Sequence, residues 1–241
     1  MKNRIFIIAL ILLSLRIMSQ SIDEVRVPLI GDSAPKFTAE TTLGKINFPD
    51  DYYGKWKILF SHPADFTPVC SSEIIELSYL QDDFKKLSTQ LLVLSTDGIN
   101  SHMEWIKSLE SIKYNDRESV KVEFPLISDI GLEISKQYGM LHANSSKTKN
   151  IRGVFIIDPE NKIRAISFYP MTVGRNLEEI KRTLIALQPS DNQDVLIPAN
   201  WKDGDDVLIH SPKSVEESNK MKEKNDSKLY SYTWYMWFKK I

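Results

Sequence analysis

The sequence predicts an α/β fold, in which a central mixed β-sheet is flanked by helices and followed by a small C-terminal domain. Compact apolar runs such as Trp56–Ser61 and residues 91–95 are typical of buried strands. Between such runs, apolar residues recur at steps of three and four, the spacing of an amphipathic helix. Residues 154–157 and Ile163–Tyr169 flank a turn and predict a hairpin. Strands that alternate with helices and end in a hairpin are typical of a three-layer α/β domain.

The first half of this domain is predicted to contain four strands and two helices. A turn at Gly44 separates the first two strands. The first helix carries an apolar stripe formed by Leu77, Leu80, Phe84 and Leu87. In chain order, we expect strands at 35–41, 45–48 and 56–61, a helix at 71–87, a strand at 91–95 and a helix at 101–109.

The second half adds three strands, at 124–127, 154–157 and 163–169, and a helix at 174–187. Residues 189–193 are interpreted as a linker. The linker would divide the chain into a thioredoxin-like domain over 27–188 and a C-terminal domain over 194–241. Within the latter, residues 216–228 are highly charged and are expected to form a solvated helix or loop.

Composition and charge exclude several functional classes. Hydrophobic residues make up 42% of the chain and charged residues 26%, as in soluble globular proteins. The formal net charge of -1 gives no electrostatic reason to expect a nucleic-acid partner. The single cysteine, Cys70, allows no intrachain disulfide, and the four scattered histidines lack metal-ligand spacing. We therefore expect no metal and no cofactor.

Residues 1–20 are interpreted as a signal peptide. Lys2 and Arg4 precede an apolar run over residues 5–15, and small polar residues follow it. The run is too short to cross a bilayer comfortably. The pattern predicts export, to a periplasm or out of the cell. The alternatives are a cytoplasmic protein and one anchored to a membrane by this segment.

Cys70 lies between the strand Trp56–Ser61 and the first amphipathic helix, at the helix N-terminus or within one turn of it. The unpaired amides and the positive dipole end of a helix N-terminus stabilise an anion, and thiolates at such positions are reactive nucleophiles. Thr67, three residues earlier, places a hydroxyl within reach of the sulfur. The alternative is that Cys70 is a small buried hydrophobe and that Thr67 caps the helix.

Four segments, in order along the chain, resemble one family. Pro63, Thr67 and Cys70 match the Pro-x-x-x-Thr-x-x-Cys active-site motif of peroxiredoxins. The longer run over residues 61–70, Ser-His-Pro-Ala-Asp-Phe-Thr-Pro-Val-Cys, resembles the one-cysteine, peroxiredoxin-6-like branch. Three further segments resemble the strand of the family's active-site arginine, its Tyr-Pro-x-x-x-Gly-Arg-Asn segment and the start of its C-terminal domain: residues 150–155, 169–176 and 198–205.

The resemblance implies catalytic roles for four residues. Cys70 would be the peroxidatic nucleophile, which attacks a hydroperoxide and becomes a sulfenic acid. Arg152 would favour the thiolate and stabilise charge on the peroxide oxygens as the O–O bond breaks. Thr67 would orient the peroxide, and Pro63 would shield the thiolate from water.

Three supporting residues follow from the same resemblance. Glu73 would orient the arginines, Arg175 would belong to their network, and His62 would line the pocket and form a hydrogen bond near the sulfur. Taken alone, Arg152 and Arg175 have an alternative reading as exposed cations, and His62 one as a core histidine whose hydrogen bonds are satisfied. The other three histidines are given no functional role.

The implied activity is that of a thiol-specific peroxidase for hydrogen peroxide and organic hydroperoxides. Because the chain has no second cysteine, an external thiol would have to reduce the sulfenic acid. A homodimer or a higher homo-oligomer is expected, and the aromatic tail over residues 230–238 would cover the partner or pack on its own domain. The alternative function is a peroxide sensor or a chaperone-like oligomer that uses the same cysteine. A thiol-disulfide oxidoreductase would need a Cys-x-x-Cys motif, whereas position 67 is Thr.

Overall fold

The structure is a computed structural model, which describes residues 27–192 and 194–241. The predicted signal peptide over residues 1–20 lies outside the described residues. Within them the chain forms ten strands, five α-helices and one 3-10 helix, Asp50–Tyr52. The strands are β1 (Phe37–Thr41), β2 (Gly44–Phe48), β3 (Trp56–Ser61), β4 (Thr89–Ser95), β5 (Leu126–Ser128), β6 (Arg152–Ile157), β7 (Ile163–Tyr169), β8 (Val207–Leu208), β9 (Leu229–Thr233) and β10 (Met236–Lys239). The helices are α1 (Pro68–Lys86), α2 (Ile99–Leu109), α3 (Glu133–Gln137), α4 (Leu177–Asn192) and α5 (Val215–Glu223).

Seven strands form one mixed sheet in the order β2-β1-β5-β4-β3-β6-β7. β3 pairs in parallel with β4 and antiparallel with β6, and β4 pairs in parallel with β5. All six residues of β3 are buried, as expected for a central strand covered on both faces. The predicted α/β class is therefore confirmed.

Helices cover both faces of the sheet. Side chains along a strand point alternately to its two sides, so a buried strand contributes apolar residues to a core on each face. Ile58 and Phe60 of β3 belong to a cluster that includes residues of α1 and α4. Leu59, between them, belongs to a second cluster with Phe48 and Tyr138. The sheet thus has a hydrophobic core and helices on each face, which gives the domain three layers.

Helix α1 begins at Pro68, three residues before the predicted start. Thr67 has an extended backbone, and Pro68 occupies the first helical position, where its fixed φ suits a helix and its missing N–H would have no intrahelical partner. Cys70 is consequently the third residue of the helix and lies in its first turn.

The predicted linker at 189–193 is wrong over its first four residues. Helix α4 continues through Pro189 to Asn192. Pro189 lies inside the helix, so the backbone hydrogen bond that its N–H would have donated is lost, and the helix ends three residues later. The expected start at residue 174 is also wrong, since the helix begins at Leu177.

The C-terminal part forms a three-stranded sheet in the order β8-β10-β9, together with α5. The charged segment, expected as a helix or a loop, contains α5, whose N-cap Ser214 accepts a hydrogen bond from the Glu217 amide. Trp201 and Val207 pack with Ala186 of α4, so this part shares a small core with the preceding domain. None of the helices described is long and apolar enough to cross a membrane.

Candidate active site

Cys70 is completely buried in the first turn of α1. β3 ends at Ser61, and residues 62–67 form the loop that leads from the strand into the helix. This strand–loop–helix connection places the sulfur at the N-terminal end of α1, where backbone amides lack intrahelical acceptors.

Arg152, the first residue of β6, donates a hydrogen bond to this sulfur. Its Nη1 lies 3.4 Å from Cys70 Sγ and 2.7 Å from Glu73 Oε2. On its other side, Nε and Nη2 donate to the Met171 carbonyl at 3.0 and 2.6 Å. The guanidinium is only 2% exposed, which rules out the reading of Arg152 as a surface cation.

Arg175 completes the network through the same carboxylate. Its backbone amide and Nε donate to Glu73 Oε1 at 2.8 and 2.9 Å, and its Nη2 donates to Oε2 at 2.7 Å. Its Nη1 donates to the carbonyls of Ser61 and Gly153. Arg175 is buried and therefore is not the exposed cation considered as an alternative. One buried carboxylate holds two buried guanidinium groups beside the sulfur.

Thr67 and Pro63 lie in the loop before α1. The Thr67 hydroxyl makes no capping hydrogen bond to α1 and instead donates to the Ala64 carbonyl at 2.9 Å. Its hydrogen is thus engaged, while its oxygen lone pairs are not used by the helix amides. Pro63 is buried in the same loop.

His62 is buried, but the structure does not join it to the arginine network. Neither ring nitrogen has a hydrogen-bond partner among the described residues, so the expected hydrogen bond near the sulfur is not observed. The ring packs against Trp105, with 5.1 Å between centroids. The pKa of His62 is lowered to about 3, chiefly by burial and also by electrostatic interactions with His102 and Arg175. The imidazole is therefore neutral at physiological pH.

Comparison with known proteins places this chain in a family. The model of the AhpC/TSA family matches residues 30–166, and that of the C-terminal domain of 1-Cys peroxiredoxin matches residues 186–225. A peroxiredoxin of Methanosarcina mazei is 47% identical over 215 residues, which cover 89% of this chain and 98% of that protein. The chain belongs to the peroxiredoxin family. A peroxiredoxin of Thermotoga maritima is 44% identical over 222 residues, which cover 90% of this chain and all of that protein.

Solved peroxiredoxin structures share the fold. A yeast mitochondrial 1-Cys peroxiredoxin, studied for thiol resolution via glutathione/thioredoxin systems, matches with a TM-score of 0.76 and 38% identity over 89% of this chain and 100% of that chain. A cysteine-to-serine mutant of peroxiredoxin 6 from Arenicola marina also matches with a TM-score of 0.76, at 31% identity over 88% of this chain and 98% of that chain. The predictions of a thioredoxin-like fold and of a peroxiredoxin of the one-cysteine type are confirmed. As a peroxiredoxin, the protein is a thiol-dependent peroxidase.

The candidate site also contains groups that the sequence analysis missed. The Met171 carbonyl accepts two hydrogen bonds from Arg152, but a backbone carbonyl has no sequence signal. The Ser61 hydroxyl donates to the Ile151 carbonyl and accepts from the Gly153 amide, which ties β3 to the strand of Arg152. A Cβ at Gly153 would lie 3.0 Å from that hydroxyl oxygen, so glycine allows this close approach.

Proposed function

We propose that Cys70 is the peroxidatic cysteine and that Arg152, held by Glu73, stabilises the reacting oxygens. The hydrogen bond of 3.4 Å from Arg152 to Cys70 Sγ is the observation that carries this assignment. A guanidinium that donates to sulfur interacts more strongly with a thiolate than with a thiol, because charge-assisted hydrogen bonds are the stronger ones.

In the proposed reaction, the thiolate attacks the terminal oxygen of a hydroperoxide. An S–O bond forms, the O–O bond breaks, and the leaving oxygen takes a proton to give water or an alcohol. Cys70 becomes a sulfenic acid, oxidised by two electrons, and the peroxide is reduced by two. Negative charge builds on the leaving oxygen during this step, and a preorganised guanidinium stabilises it.

Thr67 is proposed to accept a hydrogen bond from the peroxide. Since its own hydrogen is donated to the Ala64 carbonyl, the hydroxyl oxygen offers lone pairs rather than a proton. The hydrogen of a hydroperoxide would donate to this oxygen and present the terminal O to the sulfur. Buried Pro63, in the same loop, would limit the access of water.

An external thiol is proposed to complete the cycle. One thiol condenses with the sulfenic acid to give a mixed disulfide and water, and a second thiol releases Cys70 and leaves as a disulfide. Peroxiredoxins use thiol reductants such as thioredoxin or glutathione. The absence of a second cysteine from the 241 residues supports an external reductant here.

We further propose that the protein forms a homodimer. β7 lies at the edge of the seven-stranded sheet and can pair with a second copy. In the hairpin of β9 and β10, Trp237 is buried, whereas Tyr232, Trp234 and Tyr235 are 73%, 42% and 53% exposed. Such an aromatic surface is typical of an interface. Sedimentation of the full chain at micromolar concentration would give twice the chain mass, and a monomer at that concentration would contradict the dimer.

Export is proposed from residues 1–20 alone, whose charged start and short apolar run match a signal peptide. Fractionation of the producing cells, with N-terminal sequencing of the recovered protein, tests it. A protein recovered from the cytoplasm with Met1 retained would contradict export.

The assignment of Cys70 is tested by following its thiol in the full chain after one equivalent of hydrogen peroxide, alongside Arg152→Ala. We expect loss of the thiol within seconds in the wild type and much slower loss in the variant. Arg117→Ala is a matched control, because Arg117 forms an ion pair with Glu76 of the same helix and, among the described residues, none with Glu73. A thiol that persists for many minutes in the wild type would exclude a peroxidatic Cys70. Slow turnover with added glutathione or thioredoxin, after fast oxidation, would favour the sensor.

A further inference from the structure

Asp65, in the loop between β3 and α1, lies at the centre of a buried cluster that the catalytic network does not use. Its Oδ2 is 2.8 Å from His102 Nδ1, and the second ring nitrogen of His102 is 3.2 Å from the Ile127 carbonyl. Both partner atoms are acceptors, so each ring nitrogen of His102 has an acceptor within hydrogen-bond distance. His102 is fully buried and Asp65 nearly so, which makes this a hydrogen-bonded pair enclosed by protein.

The backbone of Asp65 is fixed as well. Its amide donates to Asp97 Oδ2 at 2.8 Å, and Asp97 Oδ1 lies 2.8 Å from Lys149 Nζ. Partial burial acts to raise the pKa of Asp97, but hydrogen bonds from Lys149 and the Asp65 amide outweigh it and lower the pKa. The Asp97 carboxylate, just after β4, therefore binds the backbone of Asp65 in the middle of the loop, while His102 of α2 binds its side chain.

The remaining oxygen of Asp65 faces His62. Asp65 Oδ1 has no hydrogen-bond partner among the described residues, and it lies 3.7 Å from His62 Nε2, which also has none. The His62 ring packs on Trp105, whose indole N–H donates to the hydroxyl of Ser71, the residue next to Cys70. Contacts thus run from the pair of Asp65 and His102 through His62 and Trp105 to the first turn of α1.

We propose that Asp65 and His102 are positioning residues of the peroxidase: their buried pair holds the loop that carries Thr67 in the arrangement that peroxide attack requires. The inference rests on the proposed role of Cys70. Only six residues separate the end of β3 from the start of α1, and Asp65 is the fourth of them. Displacement of its side chain therefore moves the hydroxyl of Thr67, two residues later, relative to the sulfur.

The test is the second-order rate constant for oxidation of Cys70 by hydrogen peroxide in the full chain, with near-UV circular dichroism to show that each variant is folded. Asp65→Ala is expected to lower it at least about tenfold, since a misplacement of about 1 Å can cost on the order of a hundredfold. Asp65→Asn is expected to restore it to within about threefold of the wild type, because its oxygen still accepts from His102 and its amide can donate to His62. His210→Gln alters an exposed His–Asp pair, with Asp194, and should leave the rate unchanged.

A merely structural role would lower stability in both Asp65 variants and leave the rate of the folded protein unchanged. Equal rates for wild type and folded Asp65→Ala would therefore overturn the proposal, as would equal losses in the Ala and Asn variants. If Asp65→Ala does not fold, His102→Asn and His102→Ala make the same comparison from the other side. Slow oxidation of the wild type would instead refute the assignment of Cys70, so the two failures are distinguishable.

Discussion

Glu73→Gln is predicted to destabilise the protein strongly. The carboxylate accepts hydrogen bonds from the Arg175 amide and Nε at one oxygen, and from Arg175 Nη2 and Arg152 Nη1 at the other. A glutamine amide turns one acceptor into a donor, so in either orientation two of the four hydrogen bonds are lost. Two guanidinium groups also remain buried without a counter-charge. Breaking a buried ion pair from one side costs about 3–5 kcal/mol.

For a chain of this size, each kcal/mol shifts the melting temperature by about 2–4 °C, so we expect a decrease of about 6–20 °C. Differential scanning calorimetry of wild type and variant measures it. Glu76→Gln is the matched control, one turn further along α1. Glu76 pairs with Arg117 at the surface, where the two side chains are 35% and 39% exposed, and such a pair is worth about 1 kcal/mol or less. Similar decreases in the two variants would refute the reasoning.

Three further predictions concern single side chains. Thr67→Val should slow oxidation of Cys70 about tenfold, the equivalent of one hydrogen bond of about 1.4 kcal/mol, whereas Thr67→Ser should not; stopped-flow fluorescence measures both. Because the pKa of His62 falls from 6.5 to about 3 on folding, its contribution to stability is complete above pH 6.5 and lost as pH falls toward 3. His62→Phe should reduce this loss of unfolding free energy, measured by urea denaturation at a series of pH values. An unchanged pH dependence would contradict the burial argument. Burial lowers the pKa of Lys57 from 10.5 to about 8, so the unfolded chain binds more protons between these values and stability rises with pH there. Lys57→Met should abolish this rise in the free energy of unfolding. If the rise persists in the variant, another group causes it.

The strands and the helix of the active site were predictable because their signals are local. The apolar run of β3 and the stripe of α1 lie within one short window each, and the start of α1 was missed by only three residues. The five-residue helix α3 was missed because it is too short to display a periodicity. In α4, local chemistry at Pro189 favoured a break, but the helix continues.

The contacts inside the site could not be predicted from local sequence patterns. Motif resemblance indicated Glu73 and the two arginines, but their hydrogen bonds join residues 79 and 102 positions apart. The buried pair of Asp65 and His102 joins a loop to a helix 37 residues away, and nothing in the spacing of either residue indicates it. His102 has no neighbours at metal-ligand spacing, which predicts a core histidine, and in the structure it is buried.

The enclosure of one carboxylate by two guanidinium groups has an electrical consequence for the catalytic cycle. With a neutral sulfur, Cys70, Glu73, Arg152 and Arg175 together carry a charge of +1, and with a thiolate they carry zero. In the proposed reaction, attack of the thiolate on a peroxide gives a neutral sulfenic acid and so restores the uncompensated positive charge. The oxidised enzyme then attracts an anion more strongly than the thiolate form does. The thiolate of the incoming reductant is such an anion, so the charge left by the oxidation step favours the reduction step that follows.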